Sequence, residues 1–300
     1  MLTCNEKHTF NCNFMPHASW TPDFETLKAQ FDFAIAEDIG DGDHSALSSI
    51  PAEQRGKAQL IIKESGVFAG GALAAYLFKY IDATATVKQS IEDGALVEKG
   101  TLALTVEGNT IKLLQSERLV LNYLQRLSGI ATRTYSYARE IDHTECIVLD
   151  TRKTTPGLRV LEKWAVALGG GGNHRMGLYD MVMLKDNHID FAGGISEAVA
   201  RTKAYLTESD RTLSIEVETR NMQEVAAAIR AGVDRIMLDN FSVSETKEAV
   251  KYIAGRTEVE SSGGITHDTL VPYAECGVDF ISVGALTHHI KGLDMSLKAL

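Results

Sequence analysis

Beyond Glu145 the chain alternates short β-branched runs with amphipathic stretches, and nothing else in it constrains the fold so strongly. CIVLD, MVMLKD, LSIEVE, RIMLD, EVES and FISVG read as strands. Several of the stretches between them read as helices: LRVLEKWAVAL, SEAVARTKAYL, NMQEVAAAIRAG and TKEAVKYIAG. Strand, helix, strand at intervals of roughly 20 to 35 residues predicts parallel strands with right-handed crossovers. Six such units fit a complete or slightly incomplete α/β barrel, an open doubly wound sheet being the alternative. Charged or glycine-rich residues recur at nearly every strand's C-terminal end, the rim where barrels build active sites, and this favours the barrel.

The residues before the barrel have a different texture. The segment to about Asp32 is irregular and is expected to be peripheral. From Gln59 to Val106 come strands, the helix GALAAYLFKYI, and a strand pair punctuated at Asp93-Gly94, Lys99-Gly100 and Gly108-Asn109. This texture resembles a lipoyl- or biotinyl-type hammerhead, but no lysine sits at an obvious hairpin tip, which disfavours a carrier role. A helix over Leu113 to Ser128, capped by Gly129, follows. Arg118, Asn122 and Arg126 form a polar stripe along it, a pattern more common on solvated faces than in sites.

Net charge of −10 disfavours a nucleic-acid or anionic-membrane surface, while leaving room for an anionic substrate in a locally positive cleft. No apolar run approaches the ~20 residues of a membrane span, and the start lacks a secretory h-region, so cytoplasmic residence is the expectation. Cys4, Cys12, Cys146 and Cys276 lack ligand spacing and read as reduced thiols, the last two buried, with no metal cage or disulfide framework.

Taken in order, the strand ends supply Asp150, Arg152 and Lys153; Lys185 to His188; Glu216 and Glu218; Asp239 and Asn240; Ser261-Ser262-Gly263-Gly264; and Ser282-Val283-Gly284-Ala285. Ordinary loop polarity explains any one of these better than it explains six in series. Glycines after late barrel strands let backbone N–H groups approach a phosphate, and the SSGG and SVGA runs are expected to seat one. Arg152, Lys153, His174, Arg175 and Lys185 concentrate positive charge, which calls for a polyanionic substrate. The run GGGGNHR is expected to bring His174 and Arg175 close to that ligand. Glu216 and Glu218 share one strand face. Ribose hydroxyls and magnesium carried by pyrophosphate would meet Glu218 and Asp239, whereas for Glu216 a structural ion pair to Arg152 or Lys185 is equally good.

These residues together resemble the quinolinate phosphoribosyltransferase family. The similarity runs from EDIGDGDHSA (37–46) to GALTHH (284–289) and includes LNYLQRLSGIAT, LDTRKTTPGLR, GGGGNHRMGLYDMVMLKDNHI, IEVE, IMLDN, SSGGI and SVGALTH. The resemblance implies an N-terminal α/β sandwich over 1–127, an incomplete α/β barrel of the type II phosphoribosyltransferase kind over 128–288, and a segment 289–300 returning to the first domain. It implies transfer of phosphoribose to quinolinate with loss of CO2, for NAD biosynthesis. It places Arg126 in a neighbouring subunit's site, within a homodimer or an assembly of dimers. Arg152, Lys153, His174, Arg175 and Lys185 would surround quinolinate, the lysines also lying near phosphoribosyl pyrophosphate. Ser262, Gly263, Gly264 and Gly284 would hold the 5′-phosphate, with Ser282 also binding substrate and His288 on the rim. Lys153, Lys185, Glu218 and Asp239 would carry catalysis, the two carboxylates also meeting pyrophosphate-bound Mg2+ indirectly. Two positions depart from the pattern: Thr219 stands where asparagine is common and His289 where serine is usual. A nicotinate-specific or molybdenum-locus relative, and a non-catalytic metabolite-binding barrel, are the competing readings. Neither nicotinate nor a sensor role needs this many cations together with both carboxylates.

Overall fold

A computed structural model describes residues 20–300, so the readings for Cys4, Cys12 and the rest of the first segment lie outside the described residues. After a 3-10 turn, the first unit runs α1 (Lys28–Ile39), α2 (His44–Ser49), β1 (Arg55–Ile62), β2 (Gly66–Val67), α3 (Gly71–Ile81), β3 (Thr86–Gln89), β4 (Leu96–Val97) and β5 (Leu102–Asn109). The long helix α4 (Thr110–Glu140) leads into β6 (Ile147–Leu149), α5 (Arg159–Leu168), β7 (Val182–Leu184), α6 (Asp186–Ala192) and α7 (Ile195–Glu208). Then come β8 (Ile215–Thr219), α8 (Met222–Ala231), β9 (Arg235–Asp239), α9 (Val243–Ile253), β10 (Glu258–Ser262) and α10 (Leu270–Ala274). The chain finishes with β11 (Phe280–Ser282), α11 (Ala285–His288) and β12 (Met295–Ala299).

The first sheet is antiparallel in the order β12-β1-β5-β3. Ala58, Leu60 and Ile62 alternate inward on β1, the period of a strand with one covered face, and α3 and α4 pack against the sheet. The described part of the segment before Asp32 is not peripheral. Phe31 on α1 is wholly buried, with its ring 5.8 Å from Tyr76 and 6.0 Å from Tyr123. One such ring contributes about 2 kcal/mol, enough to dock a helix whose other side chains are mostly exposed.

Helix α4 does not stop at Gly129 but continues to Glu140. Gly129 has another purpose. A Cβ there would collide with the carbonyl oxygen of Lys291, so the missing side chain admits the segment that crosses α4 on its way to β12. Leu293 N–H donates to the Gln125 carbonyl at 2.9 Å in the same crossing.

The second sheet holds six parallel strands in the order β6-β11-β10-β9-β8-β7, the incomplete barrel of the expectation. No ladder among the described residues joins β7 to β6; instead Leu149 on the free edge of β6 bridges to Gly172. Alternation turns Val217, Ile236, Leu238 and Val259 out under the helices, all buried. The inner face is charged rather than aliphatic, with Glu216, Arg235 and Glu260 inside it.

Candidate active site

The C-terminal ends of the parallel strands surround a cavity of about 480 Å³. Arg152, Lys153, His174, Arg175, Lys185, Glu218, Asp239, Ser262, Gly263, Gly264, Ser282 and Gly284 all line it. Ten residues from six strand ends, with His174 and Arg175 from the loop before β7, therefore meet at one mouth, as a barrel rim requires. His288 stays on the rim outside this lining, its ring stacked against Gly284, where an added Cβ would come within 3.0 Å of both His288 and Lys153.

The glycine seat is built by backbone demands. Gly263 and Gly264 have φ of +97° and +63°, and a Cβ on Gly263 would overlap the Asn240 amide. Asn240 is itself left-handed at φ 56°, donates its N–H to Ser262 O at 2.9 Å, and gives its side-chain NH2 to Asp239 Oδ2 at 2.8 Å. Two strand ends are thus locked side by side, with the Asp239 carboxylate fixed in orientation.

The glycine run Gly169 to Gly172 does something other than approach a ligand. None of the four lines the main cavity. A Cβ on Gly169 would strike the Ala131 carbonyl, one on Gly171 would lie 2.6 Å from Thr134 Cγ2, and one on Gly172 2.7 Å from Leu149 Cδ2. The run is thin because it is wedged between α4 and β6, and that wedge delivers His174 and Arg175 to the cavity.

His174 enters with its polar edge directed below the cavity floor. Its Nε2 lies 3.1 Å from Glu216 Oε2 and 3.4 Å from Glu260 Oε2, while Nδ1 accepts the Arg175 N–H at 2.7 Å. An accepting Nδ1 leaves the ring hydrogen on Nε2, facing both carboxylates. Glu216 therefore pairs with His174, not with Arg152 or Lys185. Arg235 closes the group, 3.3 Å from Glu260 and stacked 4.0 Å over the Phe280 ring. Burial pushes the Glu216 carboxyl up, with the Glu260 charge adding to it. Burial acts on Glu260 as well, but His174, Arg235 and the Ser282 hydroxyl outweigh it and hold that carboxyl at about 2.

Glu218, two residues along, is mostly buried and is paired with Lys185 at 3.2 Å across β7 and β8. Both members of the pair line the cavity, so the ion pair is part of the site rather than an alternative to it.

Arg126, for which the resemblance implied a place in a neighbouring subunit's site, is bonded within its own chain. Its Nε donates to Glu162 Oε1 at 2.7 Å, and its Nη2 donates to Thr155 Oγ1 at 2.6 Å and to Thr287 O at 3.4 Å. Arg118, two turns earlier on the same stripe, is exposed.

Sequence reasoning missed the inner ring of charge. Asp150 was noted only as a strand end, yet it is fully buried and ion-paired with the equally buried Lys163. Burial raises the Asp150 carboxyl and lowers the Lys163 ammonium, and each is drawn back by the other's charge. Glu260 carried a readable signal, a charge two residues from both Glu258 and Ser262 on one strand face, whereas Arg235 has Met237 two residues along and gave none. The cysteine expectation holds for Cys146, buried and pushed up to about 12 by that burial, but Cys276 is partly exposed.

Two carboxylates beside cations suit a hard cation that arrives already bound to phosphate oxygens. Glu218 and Asp239 supply such oxygens at the mouth. His174, Glu216 and Glu260 are a tighter cluster of ligand-type atoms, but the ring hydrogen on Nε2 occupies the lone pair a metal would need, so they make a set of close charge contacts rather than a metal cage.

An open α/β barrel with a cationic cavity and a glycine seat at its strand ends, fronted by an α/β sandwich, defines a barrel enzyme acting on phosphorylated anions. Residues 43–128 match the family described as quinolinate phosphoribosyl transferase, N-terminal domain, and residues 130–298 its C-terminal domain. The chain belongs to the quinolinate phosphoribosyltransferase family. It is 47% identical over 288 residues to the chloroplastic nicotinate-nucleotide pyrophosphorylase [carboxylating] of Oryza sativa, covering 91% of this chain and 77% of the relative. With the probable nicotinate-nucleotide pyrophosphorylase [carboxylating] of Bacillus subtilis the identity is 41% over 271 residues, covering 90% and 92%. The crystal structure of NadC from Streptococcus pyogenes superposes with a TM-score of 0.89 at 38% identity, covering 94% of this chain and all of that one.

Proposed function

We propose that this protein joins quinolinate to phosphoribosyl pyrophosphate, yielding nicotinate mononucleotide, pyrophosphate and CO2 for de novo NAD biosynthesis. The observation that carries the reading is the meeting of two separate cation-bearing loops with a glycine seat and two carboxylates in one cavity. Quinolinate offers two adjacent carboxylates, and Arg152, Lys153 and Arg175 supply the forks and point charge to hold them. Held so, its ring nitrogen faces the anomeric carbon above the seat formed by Ser262, Gly263, Gly264, Ser282 and Gly284. Positioning of this kind replaces a bimolecular encounter and is worth several kcal/mol, of the order of 7 or more at best.

The nitrogen lone pair forms the bond to C1′ as the bond to pyrophosphate breaks, the leaving oxygen taking that electron pair. Lys153 and Lys185 stabilise the departing charge, and Glu218 and Asp239 offset the positive charge growing on the ribosyl ring. Magnesium, held by Glu218 and Asp239 through the pyrophosphate it accompanies, would neutralise phosphate charge there. The pyridinium nitrogen next accepts the electrons of the C2–carboxylate bond, CO2 leaves, and C2 takes up a proton. The cationic wall that gripped the departing carboxylate excludes water from it until then.

The working unit in this reading is a homodimer or an assembly of dimers, with the exposed Arg118 face of α4, not the internally bonded Arg126, free to meet a partner. We place the protein in the cytoplasm; among the described residues no helix is long and apolar enough to cross a membrane. Several plant relatives are named as chloroplastic or mitochondrial, so fractionation of the source cells is the check on location. Incubation with phosphoribosyl pyrophosphate, magnesium and quinolinate labelled in its 2-carboxylate tests the activity. Labelled CO2 and nicotinate mononucleotide are expected, with no turnover of nicotinate; equal use of nicotinate would overturn the reading.

A further inference from the structure

Helix α5 contributes nothing to the cavity lining, yet it carries three charged residues, Arg159, Glu162 and Lys163, at i, i+3 and i+4 on one face. Glu162 and Lys163 are completely buried, in a helix otherwise packed with Leu161, Trp164, Ala165 and Val166. Such charges are costly unless every one is met, and here the partners fall into two sets. Glu162 accepts Thr155 N–H at 3.1 Å and Arg126 at 2.7 Å, and Arg126 also holds the Thr155 hydroxyl. These bonds fix the loop after β6, which carries Arg152 and Lys153. Lys163 donates to the His174 carbonyl at 2.8 Å and to Asp150, which in turn accepts His174 N–H at 2.9 Å and the Asn173 amide at 2.7 Å. Those bonds fix the loop that carries His174 and Arg175. Arg159 spans both, donating to Thr154 Oγ1 at 3.1 Å, to Met176 O at 3.0 Å and to Arg152 O at 3.4 Å.

We propose that this face of α5 sets the separation of the two cation-bearing loops, so that Glu162 and Lys163 are positioning residues for quinolinate that never touch it. The inference rests on the reading of the cavity given above and adds where its specificity is held. Arg152 and Lys153 on one loop must face Arg175 on the other at the span of two neighbouring carboxylates. Bonds from one rigid helix to the backbone of both loops fix that span, as loops alone do not. The glycine seat, built on β10 and β11, receives no direct bond from this face. Its links to the first loop run through Thr287, which donates to Lys153 O at 3.0 Å and accepts from Arg126 at 3.4 Å, so hold on phosphoribosyl pyrophosphate depends less on α5 than hold on quinolinate does.

The test uses Glu162→Gln, Lys163→Met and the pair Asp150→Asn with Lys163→Met, the last leaving no buried charge unpaired should Lys163→Met alone fail to fold. Folded variants are expected to raise the KM for quinolinate at least ~10-fold while the KM for phosphoribosyl pyrophosphate moves less than about twofold. Amide hydrogen exchange adds a readout independent of turnover. Glu162→Gln should speed exchange around Thr155, and the Lys163 variants around His174, with β8 to β10 unchanged. Equal rises in both KM values, unchanged KM values in a folded variant, or exchange that quickens everywhere would overturn the proposal. Wild-type protein that releases no CO2 from quinolinate would instead sink the activity reading, and the exchange pattern would still decide whether α5 holds the loops.

Discussion

At the scale of single residues, the site separates groups that touch a ligand from groups that hold them. Arg152 is exposed in the cavity with its carbonyl anchored by Arg159, so its side chain is available to an incoming carboxylate. Arg152→Ala should lower kcat/KM for quinolinate roughly 10- to 100-fold, the worth of one charge-assisted hydrogen-bonded pair, without changing the urea midpoint. Steady-state kinetics beside a denaturation curve checks this. The cationic residues were legible in the sequence because Arg, Lys and His at consecutive strand ends have few structural reasons to recur. Glu162 and Lys163 were not, because an adjacent acid–base pair in a helix reads as a solvated face until burial is known. Thr219 shows the same limit: it is buried and donates to Met237 O at 2.9 Å, closing β8 onto β9, so its departure from the pattern serves the sheet.

At the scale of elements, periodicity located the helices and strands well but misplaced one end. A glycine after an apolar helical run is a good stop signal, yet α4 runs on past Gly129. The competing requirement is non-local: the 291–293 segment passes so close that only hydrogen fits. Gly129→Ala is therefore expected to destabilise by about 1–3 kcal/mol, although alanine is the better helix former by about 1 kcal/mol. Chemical denaturation measures it, and a more stable variant would show that the crossing segment yields. Inside the barrel, the Glu216–His174–Glu260–Arg235 group gives a pH signature. The Glu260 carboxyl is depressed to about 2 from an ordinary 4.5, so its contribution is present above 4.5 and is lost as pH falls from there to about 2. Stability measured down this range should fall more steeply in the wild type than in Glu260→Gln.

At the scale of the whole molecule, the two units are joined by α4 and by the return of β12 to the first sheet, where Met295 to Ala299 pair with Ile62 to Ala58. Deleting residues 294–300 should cost at least about 2 kcal/mol, since buried Met295 alone carries that much, and should leave β1 as an open edge prone to association. Calorimetry and light scattering would register the two effects. The strand–helix rhythm announced the barrel because each unit is local in sequence, whereas a pairing over more than two hundred positions leaves no local trace. That pairing also orders events during synthesis. The ribosome makes β1 before the barrel and Met295 to Ala299 after it, so the leading sheet must wait, one flank bare, while the entire barrel emerges. A nascent chain stalled before this clasp would present an adhesive border to its neighbours, and completion of the first sheet is thereby tied to translation of everything between its two ends.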